Sequence, residues 1–235
     1  MEYFVASDGI TGKDRKHNGD GLVMKHGEFT EYGKDKDILF AVAIHDMSDE
    51  DKRGILSAAY VRSFNDWYEN EISYIAETRN YMKVKRHWKN ILDNARIITA
   101  GLNAQEGGGY RAMVTAVLMI DDEYISVNTG SSNFAYIESR FRPLTGRTYG
   151  KMKADKRTVS YNREPSFREG KLEEGMYVIS TNPFFSQSNE VVLGELAGSF
   201  KEPGKKSVDE IFKKMSDLMD KEMDSVTVIA RSVIG

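Results

Sequence analysis

Two short, continuously apolar runs enclose a long segment of helical periodicity, and this arrangement constrains the fold more than any other feature. The runs cover residues 38–43 and 112–120. Both fall well short of the roughly 20 apolar residues that cross a bilayer, and both have the length of a buried strand. Between them, apolar residues recur at helical spacing over about 48–75 and 84–102. The sequence therefore predicts buried strands covered by a pair of long helices.

Shorter segments with strand or helix patterns complete the order of elements. Ser48, followed by acidic residues, is predicted to begin the first helix as its N-cap, and Ser207 is predicted to cap a last helix of about fifteen residues. No internal repeat or linker interrupts the chain, so we predict one domain over residues 1–235. Its class is α+β, with sheets inside and helices outside. The further predicted strands cover residues 2–7, 22–25, 124–128, 134–139, 176–180 and 226–230.

Composition excludes several classes of site. The 235 residues contain no cysteine, so disulfides, thiolate metal sites and cysteine nucleophiles are excluded. A net charge of -3 gives no overall attraction to nucleic acids, and no apolar run is long enough to span a membrane. The first residues lack the basic and apolar regions of a signal peptide. We therefore expect a cytoplasmic protein without a membrane or nucleic-acid partner.

One segment is strongly basic. Residues 140–171 contain ten Arg or Lys against three acidic residues, a net charge of +7 in a chain whose total is -3. The segment has few apolar residues and no clear period. A solvated excursion between strands is the favoured interpretation, and the functional alternative is a flap-like insertion that faces an anion.

The nine residues from Gly12 to Asp20 read Gly-Lys-Asp-Arg-Lys-His-Asn-Gly-Asp. This spacing resembles the Gly-x-x-Arg-x-x-Asn-Glu-Asp motif of the type 2C, or PPM, family of metal-dependent protein serine/threonine phosphatases. Four later landmarks of that family follow in the same order, so the resemblance spans nearly the whole chain. Its Asp-Gly-x-Gly-Gly, Gly-Asp-Ser-Arg, Ser-Asp-Gly and Asp-Asn-x-Thr motifs correspond here to Ile44-His45-Asp46-Met47-Ser48, Gly130-Ser131-Ser132-Asn133, Thr181-Asn182-Pro183 and Asp224-Ser225-Val226-Thr227.

The resemblance implies both a fold and a chemistry. The fold is an antiparallel β-sandwich flanked by helices, in four layers of the order α-β-β-α. The chemistry is hydrolysis of phosphoserine and phosphothreonine by water that two Mg²⁺ or Mn²⁺ ions activate, and such hard cations need oxygen ligands. By resemblance, Arg15 holds the substrate phosphate in bidentate fashion, and Asp20 and Asp224 are metal ligands.

Three positions of the site depart from the family pattern. Gly19 replaces the glutamate of the first motif, Ile44 falls on the metal-bridging aspartate in the simplest alignment, and Asn182 replaces the late aspartate. Candidate replacement ligands are Asp8, Asp46, which a slip of two residues would bring to the bridging position, and Asn182 itself as a weaker ligand. Two retained carboxylates are a poor basis for a two-metal centre, so we expect Mg²⁺ or Mn²⁺ to bind weakly or at a single site. No residue is assigned as catalytic.

Two side chains near this motif have alternative interpretations. Arg15 either binds phosphate or forms an ion pair with one of the retained aspartates. His45 could act as an acid or base, but the sequence fixes no partner for it, and an ordinary loop histidine is the favoured interpretation.

Three functions follow from these expectations. The favoured one is a pseudophosphatase that binds or regulates a phosphorylated protein or a kinase partner in signalling. The alternative is a divergent, weak Mg- or Mn-dependent phosphatase, and the third is a scaffold module with a vestigial site. An ion pair between Arg15 and Asp224 across the cleft would favour the first or the third function over the second.

Overall fold

The computed structural model of the protein describes residues 1–31, 34–130, 133–137, 141–144, 164–185, 189–199 and 204–234. The helices are α1 (Ile55–Thr78), α2 (Tyr81–Gln105), α3 (Glu190–Gly198) and α4 (Lys205–Leu218), and a short 3-10 turn covers Glu50–Lys52. The strands are β1 (Glu2–Ile10), β2 (Gly21–Glu31), β3 (Lys34–Asp46), β4 (Ala112–Ile120), β5 (Glu123–Asn128), β6 (Asn133–Ile137), β7 (Phe141–Pro143), β8 (Ser166–Lys171), β9 (Gly175–Ser180) and β10 (Ser225–Val233).

The strands form two antiparallel sheets of five strands each. The strand order is β1-β10-β9-β6-β7 in one sheet and β2-β3-β4-β5-β8 in the other, and neighbouring strands pair antiparallel throughout. None of the helices in the described ranges combines the length and the hydropathy that a membrane span needs.

Three apolar layers hold these elements together. One lies between helices α1 and α2 and the sheet of strands β2, β3, β4, β5 and β8, and it contains the fully buried Trp88. The second lies between the two sheets and contains Phe134. The third lies between the sheet of strands β1, β10, β9, β6 and β7 and helices α3 and α4, and it contains Met215. The predicted four-layer α-β-β-α sandwich is therefore confirmed.

Strand β3 distributes its side chains between two of these layers. Phe40, Val42 and Ile44 pack in the helix-facing layer, whereas Leu39, Ala41 and Ala43 pack between the sheets. This alternation is the period of two that every strand has. By the same period, the side chain of the next residue, His45, points into the space between the sheets.

The structure corrects several predicted boundaries. Strand β3 continues through 44–46, where the sequence predicted a loop. Helix α1 begins at Ile55 after Gly54, not at Ser48, and α4 begins at Lys205 rather than after Ser207. Helix α3 and strands β7 and β8 were not predicted. Strand β6 ends at Ile137, and residues 138–139 of its predicted range lie outside the described residues.

The basic segment 140–171 is described only at its ends, residues 141–144 and 164–171. These ends contribute β7 and β8 to opposite sheets. The remaining residues, 145–163, and position 140 lie outside the described residues, so the predicted flap stays a prediction.

Antiparallel pairing brings four chain segments to one end of the sandwich. Gly21 at the start of β2 pairs with Ile44 near the end of β3. Ser225 at the start of β10 pairs with Ile10 at the end of β1, and β9 ends beside β10 at Ser180. The loop from Gly12 to Asp20, called here the motif loop, joins β1 to β2 at this end. The motifs that lie far apart in the sequence therefore meet in one place.

Candidate functional site

Asp224 gathers four hydrogen bonds directly before β10. Its side chain is 1% exposed. Oδ1 accepts a hydrogen bond from the backbone N–H of Gly12 at 2.8 Å, and Oδ2 accepts one from the N–H of Gly19 at 3.1 Å. The guanidinium groups of Arg15 and Arg53 donate to the same Oδ2, at 2.7 and 3.3 Å. The carboxylate therefore fastens the motif loop to β10 and partly neutralises two arginines.

Arg53 occupies the space beside Gly19. A Cβ atom on Gly19 would lie 3.1 Å from Cβ of Arg53 and 3.4 Å from Oδ2 of Asp224. Nε of Arg53 donates to the backbone oxygen of Ser48 at 3.1 Å, which fixes the guanidinium over the motif loop. The hydroxyl of Ser57 on α1 donates to the backbone oxygen of Gly19 at 2.7 Å. The missing side chain at position 19 is thus what makes room for the arginine.

Asp20 is buried at the other end of the motif loop, where its side chain has no exposed surface. Nδ1 of His45 lies 3.0 and 3.1 Å from the two carboxylate oxygens. The backbone N–H of Asp46 donates to Oδ1 at 3.0 Å, and the hydroxyl of Thr181 donates to Oδ2 at 2.7 Å. Because an ionised carboxylate only accepts hydrogen bonds, Nδ1 of His45 carries the proton. Asp20 therefore joins β2, β3 and β9.

The environment of His45 favours its charged form. Burial alone would lower the pKa of this imidazole, but the hydrogen bond and the negative charge of Asp20 act in the opposite direction. Asp46 also raises the pKa, and Arg15 lowers it. The sum raises the pKa of His45 above its ordinary value of 6.5.

Ile44 and Asp46 both face away from the space between the sheets. Ile44 is fully buried against α1, so no ligand could be provided from this position. Asp46 is 1% exposed. Its Oδ1 accepts from the N–H of Ser48 at 3.0 Å, and its Oδ2 accepts from the N–H groups of Gly54 and Ser57 at 3.0 and 3.3 Å. Asp46 therefore satisfies one backbone donor in the first turn of α1, at Ser57, and the donor of the preceding Gly54.

The side-chain amide of Asn182 connects two parts of the chain by hydrogen bonds. The side chain is fully buried. Nδ2 donates to the backbone oxygen of Asp220 at 3.0 Å and to the hydroxyl of Ser225 at 2.9 Å. Oδ1 accepts from the N–H of Phe184 at 3.0 Å. The amide therefore ties the end of β9 to the turn that precedes β10.

Asp8 lies on a different face. It is exposed on β1, and its Oδ1 accepts from the N–H of Gly9 at 2.7 Å. Phe4 and Ala6, which share its face of the strand, pack toward α3 and α4, so Asp8 faces away from the space between the sheets. The turn at Gly130-Ser131-Ser132 lies in part outside the described residues. Within the described ranges, no group of three or more His, Asp or Glu side chains is arranged to hold a metal ion.

Comparison with known proteins gives matches only among solved structures. No protein-family model matches the sequence, and no curated protein sequence matches it. The structure is similar to PppA, a key regulatory component of T6SS in Pseudomonas aeruginosa, with a TM-score of 0.67 and 12% identity over 99% of each chain. It is also similar to the catalytic domain of the serine/threonine protein phosphatase PstP, solved with two manganese ions, with a TM-score of 0.65 and 13% identity over 99% of each chain.

A third similar structure is the serine/threonine phosphatase Stp1 from Staphylococcus aureus. Its TM-score is 0.62 and its identity 13%, over 100% of this chain and 96% of that one. The chain has the type 2C phosphatase fold. The fold expected from the order of the five motifs is thereby confirmed over the full length.

A structure with the same fold contains metal ions, which allows a comparison with the hydrogen bonds of the aspartates in this chain. PstP was solved with two manganese ions. In this chain, Asp20, Asp46 and Asp224 accept hydrogen bonds from protein donors on both of their carboxylate oxygens. A cation bound here would therefore share oxygens that already accept hydrogen bonds from the protein.

Three side chains of the site were missed or misread in the sequence. His45 is the residue at the end of β3 that faces Asp20, not a loop histidine. The alternation from Leu39 onward would have indicated its direction if β3 had been extended by three residues. Arg53 lies outside the five motifs, and Thr181 lies in one of them but was assigned no role; tertiary packing brings Thr181 to Asp20 and Arg53 to Asp224.

Proposed function

We propose that this protein is a pseudophosphatase: a type 2C phosphatase fold whose two-metal centre is eroded and whose cleft binds a phosphorylated protein. The bound group is phosphoserine or phosphothreonine, and the partner is a signalling protein or a kinase. The proposal includes a cytoplasmic location, as expected for a protein that binds phosphorylated signalling proteins.

One observation carries the proposal: each carboxylate that the resemblance assigns to metal binding is used inside the protein. Asp224 accepts from two backbone N–H groups and two guanidinium groups. Asp20 accepts from an imidazole, a backbone N–H and a hydroxyl. Charge-assisted hydrogen bonds of this kind are among the strongest in proteins. These residues do not fit a centre in which two divalent ions need several free oxygen ligands.

The polarity of the site supports binding of an anion. The side chains of Asp20 and Asp224 are 0 and 1% exposed, whereas those of Arg15 and Arg53 are 21 and 20% exposed. The acidic groups are therefore turned inward and the guanidinium groups outward. A guanidinium presents paired N–H donors that match two oxygens of a phosphate.

Two measurements on one sample test this function. Calorimetric titration with millimolar Mn²⁺ should give no binding heat, and a fluorescent phosphoserine peptide should bind without release of phosphate. Arg15→Gln should weaken peptide binding, whereas Lys16→Gln, which removes a charge from an exposed side chain of the same loop, should change it little. Metal-dependent release of phosphate by the wild-type protein would instead establish the weak phosphatase. Absence of phosphopeptide binding would leave only the scaffold function.

A further inference from the structure

Arg53 stands beside the position where the family motif has an acid, and this exchange has a consequence for the ligand. Building on the proposed function, we infer that Arg53 is a second phosphate-binding residue. The phosphate of a phosphorylated serine or threonine lies between Arg15 and Arg53, and these two fixed cations take the place of metal ions.

The two guanidinium groups converge on one oxygen atom. NH1 of Arg15 and NH1 of Arg53 both donate to Oδ2 of Asp224. Two positive charges thus share a single negative one, and the group of three side chains retains a net charge of +1. A second oxyanion that bridges the two guanidinium groups would balance this excess.

Both arginines keep donors for such an anion. Among the described residues, the hydrogen-bond partner of Arg15 is Asp224, and the partners of Arg53 are Asp224 and the backbone oxygen of Ser48. A guanidinium has five N–H donors, so within the described residues most of those on Arg15 and several on Arg53 face no protein acceptor. About one-fifth of each side chain reaches solvent, so both guanidinium groups are accessible to a dissolved anion.

Gly19 and Arg53 depend on each other. A Cβ on Gly19 would approach Cβ of Arg53 to 3.1 Å and Cδ to 3.5 Å, so a side chain at position 19 would force Arg53 to shift by a few tenths of an ångström. A glutamate there would also place a second carboxylate beside the two guanidinium groups and cancel their remaining charge. The glycine therefore favours the two-arginine site.

A site with built-in cations differs from a metal site in its response to chelators. Its affinity for a phosphomonoester should be the same in EDTA and in Mn²⁺, because no dissociable cation takes part. Its affinity should fall with added salt, because charge–charge attraction at a partly exposed site is screened.

The experiment measures fluorescence anisotropy of a labelled phosphoserine peptide in EDTA, with inorganic phosphate as competitor. Arg53→Gln should weaken binding about 10- to 100-fold, the loss expected for one charged hydrogen-bonding partner. Arg62→Gln removes an exposed arginine from α1 and should leave the affinity unchanged. Arg53→Lys keeps the charge without the planar donor pair and should give an intermediate affinity.

A second pair of variants leaves Arg53 in place. Gly19→Ala should weaken binding because its methyl group displaces the arginine. Gly27→Ala, where an added Cβ meets nothing within 4 Å, should not. Thermal unfolding of each variant confirms that it is folded.

The outcomes separate this inference from the proposed function. If the wild-type protein binds the peptide in EDTA and only the Arg53 and Gly19 variants lose affinity, the two-arginine site is supported. If binding needs Mn²⁺, or if it survives both Arg53→Gln and Gly19→Ala, Arg53 is not a phosphate ligand, although the fold still binds phosphopeptides. If the wild-type protein binds no phosphopeptide under either condition, the proposed function itself fails.

Discussion

The Asp224→Asn substitution tests whether the carboxylate at the start of β10 organises the whole site. The amide keeps the shape of the side chain and removes its charge. In its best orientation, the amide oxygen takes the place of Oδ2 and still accepts from Gly19, Arg15 and Arg53, whereas the amide nitrogen faces the N–H of Gly12. One buried donor is then left without an acceptor, and the two guanidinium groups lose their charged acceptor, which weakens both of their hydrogen bonds.

The magnitude follows from these two losses. Hydrogen bonds to charged groups contribute about 1.5–3 kcal/mol and neutral ones about 0.5–1.5 kcal/mol, so weakening two of them costs roughly 2 kcal/mol. The unpaired N–H of Gly12 adds about 1–3 kcal/mol. The sum, about 3–5 kcal/mol, agrees with the cost of breaking a buried ion pair. For a domain of this size, each kcal/mol lowers Tm by about 2–4 °C, so Tm should fall by about 6–20 °C.

Thermal unfolding followed by circular dichroism measures this effect. Asp217→Asn makes the same chemical change on the exposed side of α4 and should alter stability by less than about 0.5 kcal/mol. A double-mutant cycle of Asp224→Asn with Arg53→Gln should give a coupling energy of about 0.5–3 kcal/mol. If Asp224→Asn were as stable as Asp217→Asn, or if the cycle gave no coupling, the described network around Oδ2 would be refuted.

Two further predictions concern the other buried polar groups of the site. Asn182→Asp, which restores the family residue, should lower the free energy of unfolding by about 1–3 kcal/mol because it removes a buried donor to a backbone oxygen. Denaturant titration measures this change, and Asn94→Asp on the exposed face of α2 is the control. An unchanged midpoint would contradict the structural role of the amide. Protonated His45 should stabilise the fold, because its pKa is raised in the folded state. This stabilisation is fully present below pH 6.5, the ordinary pKa, and is lost as the pH rises through the raised value. The difference in unfolding free energy between the wild-type protein and His45→Gln should therefore shrink as the pH rises above neutrality, and a difference that grows with pH would contradict the Asp20–His45 pair.

The elements that could be predicted from the sequence are those whose local pattern and tertiary role agree. Strand β4 was predicted with its observed bounds, Ala112–Ile120, because both of its faces are buried and its sequence is apolar without interruption. Helix α3, in contrast, has the sequence Glu-Val-Val-Leu-Gly-Glu-Leu-Ala-Gly, in which apolar residues show little preference for one side. The start of α1 was misplaced because the local cap signal at Ser48 is followed only by the short 3-10 turn Glu50–Lys52, whereas Ser57 in the first turn of α1 donates to Asp46, which lies outside the helix.

The site was predictable only as far as linear motifs reach. The resemblance predicted Arg15, Asp20 and Asp224 as site residues, and the structure brings Arg15 and Asp224 into an ion pair of 2.7 Å. That pair is the outcome expected for a pseudophosphatase or a scaffold. The roles of Arg53 and Thr181 depend on which strand ends are neighbours in the sheets. Local sequence patterns do not predict these neighbours.

The hydrogen bonds of Asp46 have a consequence for how sequences related to this one should be interpreted. This carboxylate accepts a hydrogen bond from the first turn of a helix of 24 residues. A substitution that removed this hydrogen bond would therefore lower the stability of the fold. Natural selection for a stable fold is therefore sufficient to preserve an aspartate at this position, whether or not any ligand is ever bound nearby. The same reasoning applies to Asp224 and Asn182. Conservation of these three residues among related sequences would therefore not show that a ligand is bound.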